Sequence, residues 1–577
     1  MSQLDLLTPS IRRVDTLRGF VLEPTTPLPE PAPTVLSWVD HWAQCDPDHT
    51  AVAERGPDGR WRGLTYGALA ASIPGVARLL ARRGAGVGMP VMLLSGNSVT
   101  HALVTLAAFH LGAPVVPIST AYATASSTHE RLSLLHGVAQ PAVVFVDVRA
   151  PYEAALRALG VSDPIDADDV REATSHHGPE RASIGPGTIA KVLFTSGSTG
   201  LPKGVVNTHR MLTANQEMLR TCWPFLETHR PVVVDWLPWS HTFGGNHNMN
   251  LVLRNGGTLY IDAGRPAPGL IETTLRNMAD VGPNLWFNVP RGFDQAVEVL
   301  EGDAELSHRV FRHLRLIFYA AAALTPSTRR RLQRLAAAAG REVFFTSAWG
   351  STETAPLATS AHFETESAGV LGVPVPGTKL AMVRHGGLHE LRVKGPHVTP
   401  GYWLPGGSIE PVHRDAQGFL STGDAGHLVD ADDPNQGVAF AGRIGENFKL
   451  SSGTWVRVGR LRVALVDALS PFVHDVVVAG HDGPDLGLLV VPAPGRDPAE
   501  LRARLLAGLR AHNRAHPANA THIARALVLD RPLSLDHGET TDKGYTNQRG
   551  VLEHRAAQVK RLFAPSPDPD VLVVDEP

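Results

Sequence analysis

Residues 194–204 read Phe-Thr-Ser-Gly-Ser-Thr-Gly-Leu-Pro-Lys-Gly. The hydroxyls of Thr195, Ser196, Ser198 and Thr199 can follow phosphate oxygens, and the bare backbone at Gly197 and Gly200 lets the main chain approach them closely. Lys203 adds a cation that can balance charge on a departing group. Two residues separate Gly200 from the lysine, unlike the Walker loop, so the spacing does not predict a P-loop NTPase fold. The apolar run 192–194 immediately ahead predicts a strand that delivers the loop, which distinguishes it from a flexible Gly/Ser linker.

Five further motifs follow in order. Trp349-Gly350-Ser351-Thr352-Glu353 sets a hydroxyl beside a carboxylate, and the Glu353 carboxylate is the candidate ligand for a hard cation shared with phosphate oxygens. Ser421-Thr422-Gly423-Asp424 supplies an ionised acceptor with two oxygens, suited to a pair of neighbouring hydroxyls. Gly442-Arg443 and Lys449-Leu450-Ser451-Ser452-Gly453 come next, and residues 541–549 carry Lys543 in a polar run. Each taken alone is a common turn or charged patch. Their order makes them a series around one nucleotide.

In that order the motifs resemble the adenylate-forming superfamily of acyl-CoA ligases, luciferases and peptide-synthetase adenylation domains, over residues 30–565. The resemblance implies ATP, Mg2+ and coenzyme A as cofactors. It implies that Thr195 to Gly200 and Lys203 hold the phosphates, that Thr352 approaches the α-phosphate, and that Glu353 helps hold magnesium. Asp424 would accept from both ribose hydroxyls, and Arg443 would touch the ribose. Gly445 would be the pivot between a large and a small domain, where relatives often carry Asp or Lys. Lys449 to Gly453 matches the segment presented for a thioester step, with one residue more than the commoner Lys-x-x-Gly spacing. Lys543 stands where the mobile catalytic lysine is found, without the usual Ser-Gly-Lys context.

The stretch 236–247, Trp-Leu-Pro-Trp-Ser-His-Thr-Phe-Gly-Gly-Asn-His, joins aromatic walls to two glycines and suits a flat pocket over a carboxylate. Trp239, His241, Phe243 and Gly244 are the expected wall, with Asn288, Tyr319, Ala320 and Ala348 completing it. His241 and His247 are read as wall rather than metal ligands, because glycines interrupt any helical pairing and no acidic or cysteine partner stands near. Within the superfamily, 236–248, 287–290, 449–456 and 542–549 resemble feruloyl-CoA synthases, which implies a hydroxycinnamate or other aryl acid. Activation of nitrite for an amino-aryl acid, or transfer to an amine or carrier protein, stays open, and a silent ligand-binding protein is the non-enzymatic alternative.

These residues need a scaffold. Short apolar runs at 91–94, 114–118, 142–146, 189–194, 232–237, 258–261 and 316–318 alternate with Ala/Leu/Arg-rich helical stretches such as 99–111, predicting parallel α/β layers. From about residue 386 shorter strand-and-turn segments predict a β-rich part, and 475–492 with a helix over 498–512 predicts a small α+β unit. The expected organisation is an N-terminal arm over 1–33, a large adenylating domain over 34–444, a small mobile domain over 445–563 and an unpacked tail over 564–577. With 577 residues, 43% hydrophobic and 19% charged, the chain can bury a large core. A net charge of -3 disfavours nucleic acid as a partner, and no stretch is apolar enough to predict a membrane span. Two cysteines, Cys45 and Cys222, give no disulfide framework, which with the N-terminal sequence predicts a cytoplasmic protein. The expected partner is the small aromatic acid that the resemblance implies, with the protein a monomer or homodimer.

Overall fold

The apolar runs become strands because each is too short for a helix and is bounded by turn-forming residues. In the computed structural model, which describes residues 4–196, 202–267, 269–365, 369–385, 387–540 and 546–574, Val115–Pro117 pairs in parallel with Val91–Leu93 and with Ile189–Ser196. Val143–Phe145 extends this sheet in parallel on the other edge of Val91–Leu93. Helix Val99–His110 links two of these strands and starts where the Ser98 side chain accepts from the His101 amide. Ile189–Ser196 then folds back antiparallel onto Pro202–Thr208, which sets Thr195 opposite Lys203. Gly401–Trp403 pairs with the far side of Pro202–Thr208, bringing Tyr402 opposite Val205.

A second sheet carries six parallel strands in the order Phe344–Gly350, Leu316–Tyr319, Leu285–Asn288, Val232–Asp235, Thr258–Ile261 and Thr50–Arg55. Its register puts Asn288 beside Tyr319 and Tyr319 beside Ser347 at the carboxyl ends of their strands. Ligands of open α/β sheets bind at such ends, because the loops leaving them are free to vary. The core on one face is aromatic: Trp286, Phe293 and Phe311 are each no more than 1% exposed, and each buries apolar surface of the order of 1.5–3 kcal/mol.

The chain divides into two compact units: Met1–Met382 with Arg392–Ser421 and Leu428–Ala439, and Val383–Leu391 with Thr422–His427 and Phe440–Pro577. Both sheets above are described within the first. In the second, Val473–Ala479, Leu486–Pro492, Ile523–Val528 and Val571–Val573 form a four-stranded sheet. Helix Pro498–Ala515 has Pro at its first turn, and the Asp497 side chain accepts from the amides of Ala499 and Glu500. Leu501, Leu505 and Leu509 at four-residue spacing bury its inner face with Leu465, Val476 and Leu488.

Two termini differ from expectation. The N-terminal arm contains an antiparallel hairpin, Ile11–Thr16 with Gly19–Pro24, ahead of the proline-rich stretch. Within the tail expected over 564–577 the described residues are not left unpacked: Val571–Val573 pairs with Ile523–Val528, and Val571, Leu572 and Val574 are buried. Averaging its prolines and acids hides the run of four apolar residues that makes an edge strand. Among the described residues no helix is long and apolar enough to cross a membrane.

Candidate active site

The hairpin Ile189–Ser196 and Pro202–Thr208 delivers Thr195 and Lys203 to one point, while Gly197, Ser198, Thr199 and Gly200 lie outside the described residues. Because Gly401–Trp403 is hydrogen-bonded to Pro202–Thr208, the Lys203 ammonium stands 4.9 Å from the centroid of the Tyr402 ring. That cation–π contact holds a flexible side chain on the strand face. The Tyr402 hydroxyl donates to Glu353 Oε1 at 3.4 Å. Burial, with the Glu353 charge beside it, pushes the phenol up to about 12, so it remains a donor. Lys203 and Glu353, 150 residues apart in sequence, are thus joined through a tyrosine that no motif singled out.

Glu353 sits in the short helical turn Thr352–Thr354, capped by Ser351, and its carbonyl accepts from the Thr399 amide at 2.8 Å. Thr352 is buried, 8% exposed. Gly350 has to be glycine, since a Cβ there would lie 1.7 Å from the Pro356 carbonyl oxygen. The turn is anchored by Asn215, buried in helix His209–Cys222, whose amide donates to the carbonyl of Leu357 at 2.8 Å and accepts from the Leu357 amide at 3.2 Å. Among the described residues no group of three or more His, Cys, Asp or Glu could hold a metal. A lone Glu353 carboxylate fits Mg2+, which keeps waters and takes its other oxygens from phosphates.

Next to Asn215, Gln216 faces the other wall, donating to the carbonyls of Asn246 and His247 at 3.0 and 3.2 Å. Those carbonyls end a π-helical turn, Thr242–Asn248, so the two glycines do not break helical geometry here but permit a wide turn. A Cβ at Gly244 would meet the Leu237 carbonyl oxygen at 2.3 Å, and one at Gly245 the Trp239 carbonyl oxygen at 2.3 Å. Lys191, within the apolar run of its strand, is buried and donates to the Gly245 carbonyl at 2.7 Å. Burial pulls its pKa down to about 7. A lysine inside an otherwise apolar strand was the sequence signal for this residue, overlooked because the run was read as core.

The expected acyl wall is partly assembled. Phe243 lies with its ring centroid 5.5 Å from that of Phe318. Tyr319 and Asn288 stand side by side at the strand ends, and Asn288 Oδ1 accepts from Trp236 Nε1 at 3.3 Å. Ala320 and Ala348, half-buried, follow on neighbouring strands, with Ala321 next at a φ of 73°, a left-handed conformation costly for alanine. His241 is half-buried and its carbonyl accepts from the Gly245 amide at 2.7 Å. Trp239, 2% exposed, packs edge-on against His101 at 5.1 Å.

In the second unit Asp424 Oδ1 and Arg443 Nε form an ion pair at 3.6 Å. The Ile444 amide donates to the Gly423 carbonyl at 2.8 Å, so Thr422-Gly423-Asp424 and Gly442-Arg443-Ile444 lie against each other. Gly442 has a φ of 99° and needs glycine, whereas Gly445 is exposed, has no positive φ, and a Cβ on it would meet nothing within 4 Å. The demanding backbone is at Gly442, three residues before the expected pivot. Lys449 belongs to a small hairpin, Phe448–Lys449 with Trp455–Val456, and its ammonium lies 5.1 Å from the Trp455 ring centroid. Gly453, at φ 80°, closes the hairpin turn and accommodates the extra residue. Lys543 lies outside the described residues, but its flanks Thr540 and Thr546 are bridged. Glu539, fully buried, anchors that base: it accepts from the Ser534 amide at 2.8 Å and from Arg555 Nε at 2.5 Å.

The AMP-binding enzyme family pattern matches residues 39–403, and that of the AMP-binding enzyme C-terminal domain matches residues 449–566. A long-chain-fatty-acid–CoA ligase of Yersinia pestis is 30% identical over 243 residues, 40% of this chain and 40% of the ligase. The chain therefore spans less than half the length of such curated relatives in these matches. ATP-bound MatB from Rhodopseudomonas palustris superposes with a TM-score of 0.69 at 24% identity, covering 90% of this chain and 99% of that one. O-succinylbenzoate coenzyme A synthetase from Bacillus subtilis, in complex with AMP, gives a TM-score of 0.69 at 20% identity, covering 90% and 98%. The α/β class with a large first and a small second domain is shared with these structures. With both patterns present in order on that fold, the chain belongs to the AMP-binding enzyme, or adenylate-forming, family.

Proposed function

We propose that the protein is an ATP-dependent, AMP-forming ligase that converts an aromatic, hydroxycinnamate-like carboxylic acid to an acyl-adenylate and passes the acyl group to coenzyme A. The observation that carries this reading is the convergence of Lys203, Tyr402 and Glu353, a cation and a carboxylate joined by one phenol. In the first unit Thr195, Lys203, Thr352 and Glu353 would hold the phosphates of ATP, with Mg2+ on the Glu353 carboxylate supplying charge neutralisation; in the second, Asp424 and Arg443 would hold the ribose. A substrate carboxylate oxygen attacks the α-phosphorus, the bond to the β-phosphate breaks, and pyrophosphate leaves. Lys543 balances the charge that builds on the transferring group, a type of donor whose loss costs about 3 kcal/mol of barrier. In the second step the coenzyme A thiolate attacks the acyl carbon, the carbon–oxygen bond breaks, and AMP departs, with Lys449 to Gly453 presented to the acceptor. The aromatic assignment is supported by Phe243, Phe318 and Tyr319 around the strand ends.

A product-resolved ATP assay with cinnamic, benzoic and fatty acids, with and without coenzyme A, and with nitrite plus amino-aryl acids, tests the reading. AMP with an aryl-CoA mass is expected. AMP with only the fatty acids would overturn the substrate class, and AMP formed with nitrite would replace the reaction by diazotisation.

A further inference from the structure

His247 is 1% exposed and sits in a nest of rings: Phe318 at 4.8 Å, Phe287 at 5.5 Å, Phe243 at 5.8 Å and Trp223 at 6.5 Å between centroids. Phe287 and Phe318 occupy the carboxyl-terminal halves of adjacent parallel strands, and His247 and Phe243 lie on the π-helical turn that covers them. Its protonation pattern is set from behind. Asp235 Oδ1 accepts from the Leu237 amide at 3.1 Å and Oδ2 accepts from Asn248 Nδ2 at 2.9 Å, which fixes the Asn248 amide with its oxygen outward. That oxygen, 2.9 Å from His247 Nδ1, accepts a hydrogen bond from the Nδ1–H. Burial pulls the imidazole down to about 4, so it is neutral and Nε2 carries a lone pair. Among the described residues Nε2 is buried and has no hydrogen-bond partner. An acceptor left bare in an aromatic nest is costly, about 1–3 kcal/mol, unless something that enters the nest donates to it.

We infer that His247 Nε2 is a specificity determinant that accepts a hydrogen bond from a donor on the substrate's ring, so that the acid activated is a hydroxy- or amino-substituted aryl acid rather than an unsubstituted or fully alkylated one. The inference rests on the aromatic reading above. The relay Asp235–Asn248–His247 holds the lone pair in place, and the Phe243, Phe287 and Phe318 rings around it carry no hydrogen-bond donor; the indole N–H of the nest belongs to Trp223, the farthest of the four rings at 6.5 Å. A methoxy group cannot donate, so it discriminates hydrogen bonding from mere size. A site built to pair a substrate hydroxyl rejects the analogue lacking it more strongly than an apolar pocket separates close homologues.

The test is the kcat/KM for acid-dependent AMP formation with matched ring-hydroxy, ring-amino, ring-methoxy and unsubstituted acids. Wild type is expected to favour the best donor-bearing acid by at least about tenfold. In His247→Phe that ratio collapses towards one, and His247→Gln, which keeps an acceptor, retains part of it. Methoxy and unsubstituted acids used as well as the hydroxy and amino acids by wild type would overturn the inference and leave the function standing, a result that needs no variant to fold. A ratio unaltered in a folded His247→Phe would also overturn it. Turnover of no aromatic acid would remove the function reading and the inference together.

Discussion

The Tyr402 hydroxyl donates to Glu353 across 3.4 Å, and the same ring carries the Lys203 ammonium on its face. The tyrosine is held by strand pairing with Pro202–Thr208, so it is a fixed post between a mobile cation and a carboxylate. Tyr402→Phe keeps the ring and removes the donor. It is expected to lower acid-dependent pyrophosphate exchange about tenfold, the value of one hydrogen bond to a partly exposed charge. An unaltered exchange rate at saturating MgATP would show that Glu353 needs no such partner.

Lys191 predicts a pH dependence of stability. Its pKa falls from 10.5 to about 7 on burial, so between those values the unfolded chain binds more protons than the folded one. Stability on this account rises with pH through that window, and the burden is full below about 7. Lys191→Met should flatten the rise in denaturant midpoint between pH 7 and 9.5, the midpoints being read by urea unfolding, and a slope equal to wild type would refute it.

Two glycines three residues apart should respond oppositely to alanine. Gly442→Ala forces a side chain to a φ of 99° and within 3.1 Å of Asn447 Oδ1, at a cost of about 1–3 kcal/mol. Gly445→Ala meets nothing within 4 Å and should leave Tm unaltered. Calorimetry on both variants distinguishes them, and a Gly442→Ala protein as stable as wild type would contradict the backbone argument.

Glu539 should be among the most sensitive charges of the second unit. Burial pushes its pKa up, yet hydrogen bonds from Arg555, the Ser534 amide and His554 outweigh this and hold it at about 2, against 4.5 for a free carboxyl. Its stabilisation is therefore present above pH 4.5 and is lost as pH falls towards 2. Glu539→Gln leaves Arg555 buried without its counter-charge, which costs about 3–5 kcal/mol. Thermal unfolding within a degree of wild type at pH 7 would contradict that.

The strands at 91, 115, 143, 189, 232, 258 and 316 were legible because each is a short apolar run between turn residues. The hairpin of Ile189–Ser196 and Pro202–Thr208 was legible because its candidate residues are contiguous. Tyr402, Asn215 and Gln216 were not: their roles depend on pairings and packing across 30 to 200 residues, and a tyrosine in Gly-Tyr-Trp or an amide in a helix has no local signature. Lys191 and the tail strand were visible as residues and were misjudged as core and as an unpacked tail. His247 is read from the sequence as wall, but its bare Nε2 exists only once the Asn248 amide is turned by Asp235.

The central claim is that a carboxylate oxygen of the acid becomes bonded to the α-phosphorus of ATP. Incubation with an aryl acid labelled with 18O in both carboxylate oxygens, MgATP and coenzyme A, followed by mass spectrometry of the nucleotide, reads this directly. The account predicts AMP carrying one 18O and a thioester retaining the other. Label in inorganic phosphate with ADP as the nucleotide product, or AMP free of 18O, would contradict it.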